Sequence, residues 1–359
     1  MFFEENKQLL SDFSRVSKAA GGRSAYVQGG GGNTSVKLPG GLMAIKASGF
    51  CLKDIEVDKA YAVLNGADLR EFYFNSEPSD FEDVEKAGSA RAKADTLHID
   101  GLADLRPSVE AGFHSILKTF VVHTHSVYAN LACCCSSCRT IAQVAFQGAD
   151  YTWGWVPYTD PGANLTFAIR DELRRVEKES GKVPSVILMQ NHGIIAHDDD
   201  PDRVLAIHAD ANERLAHCFG LSCDSFPEVK IKELAAGILA ADVPYLESAF
   251  KAGGYTQETL LTEPLYPDQL VFLNDTFYLD KAELEDGQAV ASSVSGQMLM
   301  KMGASKAMTL TETLTAVFFL TENIRKAGYA VATMGDAAKQ FIANWESEKY
   351  RKSLAGKKA

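Results

Sequence analysis

Apolar residues recur at helical spacing at Leu9, Leu10, Phe13 and Val16 until Gly21-Gly22 interrupts them, which predicts an opening helix over 6–18. The run Gln28-Gly29-Gly30-Gly31-Gly32-Asn33-Thr34-Ser35 follows, then two short extended stretches at 35–38 and 42–46 joined by Pro39-Gly40-Gly41. This pattern predicts a glycine loop feeding a hairpin. Residues 75–107 are polar and acidic and carry the turn cluster Asn75-Ser76-Glu77-Pro78-Ser79-Asp80, so an insertion or lid outside the core is expected. Val109, Phe113, Ile116 and Leu117 predict a helix over 108–118, which leads into an apolar strand over 120–125.

Two further apolar runs, at 186–189 and 194–196, flank Asn191-His192-Gly193. They predict a second hairpin or strand bend, with Gly193 supplying a positive φ. Asp200-Pro201 provides an N-cap and a first-turn proline for a helix carrying Val204, Leu205, Ile207, Ala211 and Leu215 and ending near Gly220. After Pro227 the pattern changes to helical segments around one extended piece at 269–277. Residues 1–225 are therefore expected to form one domain, and 226–359 a mostly helical C-terminal subdomain or extension. Within the latter, Leu310, Leu314, Val317, Phe318 and Ile324 mark an amphipathic core helix ending at Gly328, and 344–351 reads as a charged helix with an aromatic face for a subunit or domain contact.

With 359 residues, 46% of them hydrophobic, the chain can bury a large core. A formal charge of −11 and the lack of a dense Lys/Arg stripe argue against nucleic-acid binding. No apolar run approaches the roughly 20 residues that span a bilayer, and acidic Glu4-Glu5 stand where a secretion signal has basic residues. Of seven cysteines, four crowd together as Cys133, Cys134, Cys135 and Cys138. That spacing suits a reducing compartment, so a cytoplasmic location is expected. Because they do not form two separated Cys-X-X-Cys pairs, they read as small buried helix residues rather than as metal ligands.

The sharpest chemical feature is Val121-Val122-His123-Thr124-His125, since side chains at i and i+2 of a strand share a face. A metal site needs a third donor. Among the other histidines, His192 follows an apolar strand and precedes a glycine, where a bend presents an imidazole from a rigid edge, whereas His98, His197, His208 and His217 lack such a setting. Three neutral imidazoles with one open position describe a catalytic zinc site. His114 lies four residues after Glu110, which suggests either a Glu–His hydrogen bond or a supporting role near the site. Asn33, Ser35, Lys46, Ser48 and Gly49 form two neighbouring turns able to hold an anion such as phosphate. Neither a Walker loop nor a dinucleotide fingerprint is present, so nucleotide binding is not expected.

Taken in order, Gly32-Asn33-Thr34-Ser35-Val36-Lys37, Ile45-Lys46-Ala47-Ser48-Gly49, Glu110 with Phe113-His114, Val122-His123-Thr124-His125 and Asn191-His192-Gly193 resemble the class II aldolase/adducin family. That family includes the fuculose-1-phosphate and rhamnulose-1-phosphate aldolases and the ribulose-5-phosphate 4-epimerases. The Gly-Gly-Gly-Asn-Thr-Ser form is most similar to the aldolase part of fused rhamnulose-phosphate aldolase/dehydrogenases. The resemblance implies an α/β fold, an αβα sandwich around a mainly antiparallel central sheet, and a homotetramer with sites near subunit contacts. It also implies one zinc ion per chain on His123, His125 and His192, with Glu110 touching the resting metal and then serving as acid/base. Gly32, Asn33, Ser48, Gly49 and Ser108 match positions that line the phosphate pocket.

The implied reaction is retro-aldol cleavage of a ketose, in particular a ketose 1-phosphate, through a metal-stabilised enediolate. A glutamate at position 110 favours cleavage over epimerisation, and the presence of all four metal-shell residues favours either reaction over an adducin-like binding module. The sequence departs from the family pattern in three ways. Val109 stands where the fuculose-phosphate enzymes have a second phosphate-binding serine. The tyrosine that donates a proton from a neighbouring subunit has no clear counterpart, Tyr151, Tyr158 and Asp150 being the candidates. The interval from Glu110 to His123 is shorter than in the small fuculose-type enzymes.

Overall fold

The computed structural model describes residues 2–344. Eight strands build the main sheet: β1 (Asn33–Leu38), β2 (Leu42–Lys46), β3 (Tyr61–Asn65), β4 (Thr96–Leu97), β5 (Phe120–Thr124), β6 (Trp153–Val156), β7 (Val186–Met189) and β8 (Gly193–Asp198). Their order is β4-β3-β2-β1-β5-β8-β7-β6. Every neighbouring pair is antiparallel except β6 with β7, so the expected mainly antiparallel sheet is present. The glycine-joined hairpin also forms, with Gly40 and Gly41 at φ 73° and 78°, conformations that side-chain-bearing residues rarely adopt.

Helices cover both faces. They are α1 (Phe2–Glu5), α2 (Lys7–Gly21), α3 (Gly66–Asn75), α4 (Val84–Ala94), α5 (Ala111–Ile116), α6 (Val127–Cys133), α7 (Cys138–Ala145), α8 (Ala163–Ser180) and α9 (Pro201–His217). Because strand side chains alternate, Met43, Ile45, Val121, Ile187 and Ile195 join an apolar cluster with α3, α5 and α8. Val36, Ala44, Val122, Leu188 and Ala196 point the other way, into a second cluster with α2, α6 and α9. The result is an αβα sandwich. Asp200 caps α9 by accepting from the N–H groups of Asp202 and Arg203 at 2.8 and 2.9 Å, as its place before Pro201 predicts.

Two local expectations gain detail. The segment over 75–107 lies largely outside the core, as expected, but it is built into the fold: it supplies α4 and the edge strand β4. The Glu85 carboxylate there accepts from the N–H groups of Ala163 and Asn164, at 2.9 and 2.8 Å, and so caps the first turn of α8. Its polar composition reflects one exposed side of a helix that packs by its small face, since a Cβ added to Gly88 would lie 2.5 Å from that of Ala163. The helix expected over 108–118 is only Ala111–Ile116, because residues 108–110 turn sharply into it from the bridge between Ala47 and Pro107.

Beyond α9 the described chain continues with β9 (Ile231–Ala235), β10 (Ile238–Ala241), α10 (Pro244–Ala252), α11 (Gln257–Thr262), α12 (Pro267–Leu273), β11 (Phe277–Leu279), β12 (Ala289–Ala291), β13 (Met298–Met300), α13 (Ala304–Lys326) and α14 (Asp336–Asn344). The five strands form a second sheet, β11-β12-β13-β10-β9, beside the expected helices. The extended piece expected at 269–277 is instead mostly α12. Pro267 starts that helix at its first turn, and the run Leu270-Val271-Phe272-Leu273 is too short for its periodicity to separate helix from strand. The α13 residues Leu310, Leu314, Val317, Phe318 and Ile324 are buried as expected, in the same apolar cluster as α2, α6 and α9. Apart from Asn344, the charged helix expected at 344–351 lies outside the described residues. All seven cysteines are free, and Cys133, Cys134, Cys135 and Cys138 are buried as small packing residues at the end of α6 and the start of α7. No helix among the described residues is long and apolar enough to cross a membrane.

Candidate metal centre

Sheet register positions the first histidine. In β5 His123 sits between Asn33 of β1 and Ile195 of β8, and its ring stands on the α5 side against Phe113, at 5.6 Å between centroids. Thr124 faces the other way and hydrogen-bonds His208 of α9 at 2.8 Å. His125 follows one residue past the strand. His192 arrives on the bend between β7 and β8, where Asn191 takes the left-handed conformation at φ 50° and Gly193 supplies the expected positive φ, at 158°. Gly193 is required for close approach as well, since a Cβ there would lie 2.3 Å from the carbonyl oxygen of Thr124.

These three imidazoles converge. Each pair of rings is 5.0 Å apart between centroids, and one ligand nitrogen from each lies within 4.8 Å of the other two. All three are buried. Glu110, at the N-cap of α5, places Oε2 3.6 Å from His123 Nε2 and Oε1 3.3 Å from His192 Nε2. The structure thus brings together all four residues assigned to the metal shell.

Hydrogen bonds set the tautomers. His123 Nδ1 donates to the carbonyl of Ile194 at 3.0 Å, and His125 Nδ1 donates to Asp268 Oδ2 at 2.5 Å. Glu110 Oε1, His123 Nε2 and His125 Nε2 are buried without a hydrogen-bond partner among the described residues, and His192 turns its Nε2 to the same Glu110 oxygen. Orphaned buried polar atoms cost stability unless something satisfies them, and three imidazole nitrogens with a carboxylate oxygen are the donor set of a divalent zinc-type cation. The residues therefore fit such an ion. Burial pushes the His123 imidazole down to about 3 against the opposing pull of Glu110, so it is neutral at ordinary pH, as a ligand must be. Burial alone would raise the Glu110 carboxyl, but His123, His192 and His125 outweigh it and hold the group well below the usual carboxylate range.

Asn33 organises the other side of Glu110. Its Nδ2 donates to Glu110 Oε2 at 2.6 Å and to Ser108 Oγ at 3.0 Å, while its Oδ1 accepts from His114 Nε2. His114 Nδ1 in turn meets Ser35 Oγ at 2.7 Å. The supporting role expected for His114 is therefore exerted through Asn33, not through a direct bond to Glu110. Lys46 donates to the carbonyls of Gly30 and Phe50, at 3.0 and 2.8 Å, tying the glycine loop to the turn that holds Ser48 and Gly49. Ser48 N–H bonds the carbonyl of Arg106 at 2.9 Å, Gly49 takes φ 86°, and Gly32 passes so close to β5 that a Cβ would lie 2.5 Å from the carbonyl oxygen of His123. Ser108, Val109 and Arg106 line a cavity of about 750 Å³ that runs beneath α4 and β4.

The proton-donor candidates are engaged elsewhere. Tyr151 donates to Asp210 at 2.7 Å, Tyr158 to Asp160 at 3.3 Å, and Asp150 accepts from Arg203 at 2.5 Å. Closer to the histidines stand two residues that the motif pattern did not single out, Asp268 and Tyr266. Tyr266 is fully buried, with its ring 6.3 Å from that of His125. The signal in the sequence that could have marked this stretch as a border of the site is its mix of aromatic and acidic residues over 264–273.

The sequence profile of the Class II Aldolase and Adducin N-terminal domain matches residues 13–219. Among solved structures, the N-terminal class II aldolase domain of a conserved protein from Thermoplasma acidophilum is 20% identical, covering 57% of this chain and 91% of its own, with a TM-score of 0.47. A sugar-phosphate aldolase from Thermotoga maritima is 16% identical over 60% of this chain and 96% of its own, with a TM-score of 0.40. An L-fuculose-1-phosphate aldolase from Thermus thermophilus is 13% identical over 58% of this chain and 92% of its own, with a TM-score of 0.35. No curated protein matches the chain. From the domain profile, which spans more than half of the residues and includes His123, His125, His192 and Glu110, the chain belongs to the class II aldolase and adducin N-terminal domain family.

Proposed function

We propose that this protein is a zinc-dependent aldolase that cleaves a ketose, in particular a ketose 1-phosphate, by reversible retro-aldol chemistry. The observation that carries this reading is the convergence of His123, His125 and His192 beside the buried carboxylate of Glu110. When bound there, the ion supplies Lewis-acid polarisation of the ketose carbonyl, worth several kcal/mol towards the charge left by carbon–carbon cleavage. Glu110 moves the proton at the carbon beside that carbonyl. Asn33 holds the Glu110 carboxylate in place and is itself held by His114, so the acid/base group stays aimed while it changes protonation state.

Gly32, Asn33, Ser48, Gly49 and Ser108 are the proposed substrate-binding positions, Asn33 and Ser108 standing in hydrogen-bond contact beside Glu110. Residues 1–225 are the proposed catalytic domain, assembled as a homotetramer. The deciding experiment incubates the zinc-loaded protein with a panel of ketose 1-phosphates and unphosphorylated ketoses. An aldolase yields two carbonyl fragments from one of them; a product with its carbon skeleton intact would replace cleavage with epimerisation, and turnover of none would leave a binding module.

A further inference from the structure

Asp268 comes from α12, well beyond the segment that the family profile matches, yet it is 1% exposed and its Oδ2 meets His125 Nδ1 at 2.5 Å. The stretch that carries it is fastened to the same corner of the molecule. Asn191, next to His192, donates to the carbonyl of Leu265 at 2.8 Å, and Leu265 N–H donates to Gln269 Oε1 at 2.8 Å. The glycine loop leaves room for the pair: a Cβ on Gly31 would lie 2.4 Å from Asp268 Oδ2 and 2.9 Å from His125 Nδ1.

We propose that Asp268 is a positioning residue for the metal centre, and that the chain beyond the family domain thereby completes it. By accepting a hydrogen bond from Nδ1–H, the carboxylate fixes one tautomer and one ring orientation of His125, which leaves the Nε2 lone pair for a cation and makes it a stronger donor. His123 gets the same service from a backbone carbonyl of its own sheet, whereas the acceptor for His125 comes from a remote segment. The inference rests on the metal-centre reading above.

The test uses full-length protein stripped of metal and titrated with Co²⁺ and Zn²⁺ against a chromophoric chelator. The wild type is compared with Asp268→Ala, Asp268→Asn and Gly31→Ala, and thermal melts of the metal-free proteins report folding. The wild type should bind one equivalent. Asp268→Ala and Gly31→Ala should bind about 10- to 100-fold more weakly with an altered Co²⁺ absorption band, the usual cost of removing such a partner. Asp268→Asn keeps an acceptor oxygen and should recover part of the affinity, which a role confined to packing would not explain. Folded Asp268→Ala and Asp268→Asn variants with wild-type affinity and band would overturn the assignment while leaving the metal centre intact. A wild type that binds neither cation would instead remove the metal centre, and this inference with it. Should Asp268→Ala fail to fold, the affinity and band of Asp268→Asn decide by the same criterion, a wild-type result overturning the assignment.

Discussion

Glu110 Oε1 stands 3.3 Å from His192 Nε2, although the two residues belong to different elements, one leading into α5 and the other on the bend between β7 and β8. The contact joins a candidate acid/base group to a candidate ligand with no water-sized gap between them, so exchange of one side chain should separate chemistry from metal binding.

Glu110→Gln retains size and hydrogen bonding but cannot carry a proton. It should keep a full metal complement while turnover falls by about 10²- to 10⁴-fold. His123→Ala should lose both. Metal content by atomic emission, with steady-state rates on whichever ketose is cleaved, checks this, and a Glu110→Gln variant of near wild-type activity would end the acid/base role.

Gly193→Ala introduces a methyl group 2.3 Å from the carbonyl oxygen of Thr124, an atom of the strand end that carries His123 and His125. A backbone neighbour cannot swing aside, so the strands must separate. The expected loss is about 1–3 kcal/mol, as for other overpacked sites, together with weaker metal binding. Chemical denaturation of the metal-free variant measures the first and chelator competition the second; an unchanged midpoint would contradict the close packing.

Burial pushes His208 down to about 4 and His197 down to about 3, whereas both titrate near 6.5 in an unfolded chain. Below that value the unfolded state takes up protons that the folded state refuses, so stability falls as pH falls from about 6.5 towards 4 for His208 and towards 3 for His197. At about 1.4 kcal/mol per pKa unit, the loss across the window amounts to several kcal/mol. Denaturant midpoints of metal-free protein between pH 7.5 and 4 should show this slope, and His208→Gln should flatten part of it. Identical slopes in the two proteins would mean that His208 is not buried as a neutral ring.

Glu85→Ala tests the segment that composition alone marks as a lid. Removing a carboxylate that satisfies two N–H groups at the start of α8 should destabilise the fold by about 1–2 kcal/mol. A dispensable lid would give no change in the thermal midpoint.

Much of the fold and site was legible along the chain because the signals are local. The period-2 alternation through β5 puts His123 and Val121 on one face, the Pro39-Gly40-Gly41 turn makes the first hairpin, and Asp200-Pro201 starts α9. Short-range backbone geometry and capping decide such features, so residue type and spacing suffice. The histidine trio was legible for the same reason, each member sitting at a strand end or bend that its neighbours specify.

Tertiary structure alone decided what depends on long-range contact. The polar segment 75–107 became part of the α8 layer because Glu85 meets a helix start far along the chain, and 267–273 became a helix because its apolar side could be buried against α13 and α14. Asp268 and Tyr266 carry no motif: an aspartate after a proline is an ordinary helix start until the folded chain sets it against His125. Spacing specifies which face of an element a side chain occupies, but its partner across a packed interface is chosen by which surfaces bury the most apolar area together, a property of the whole chain.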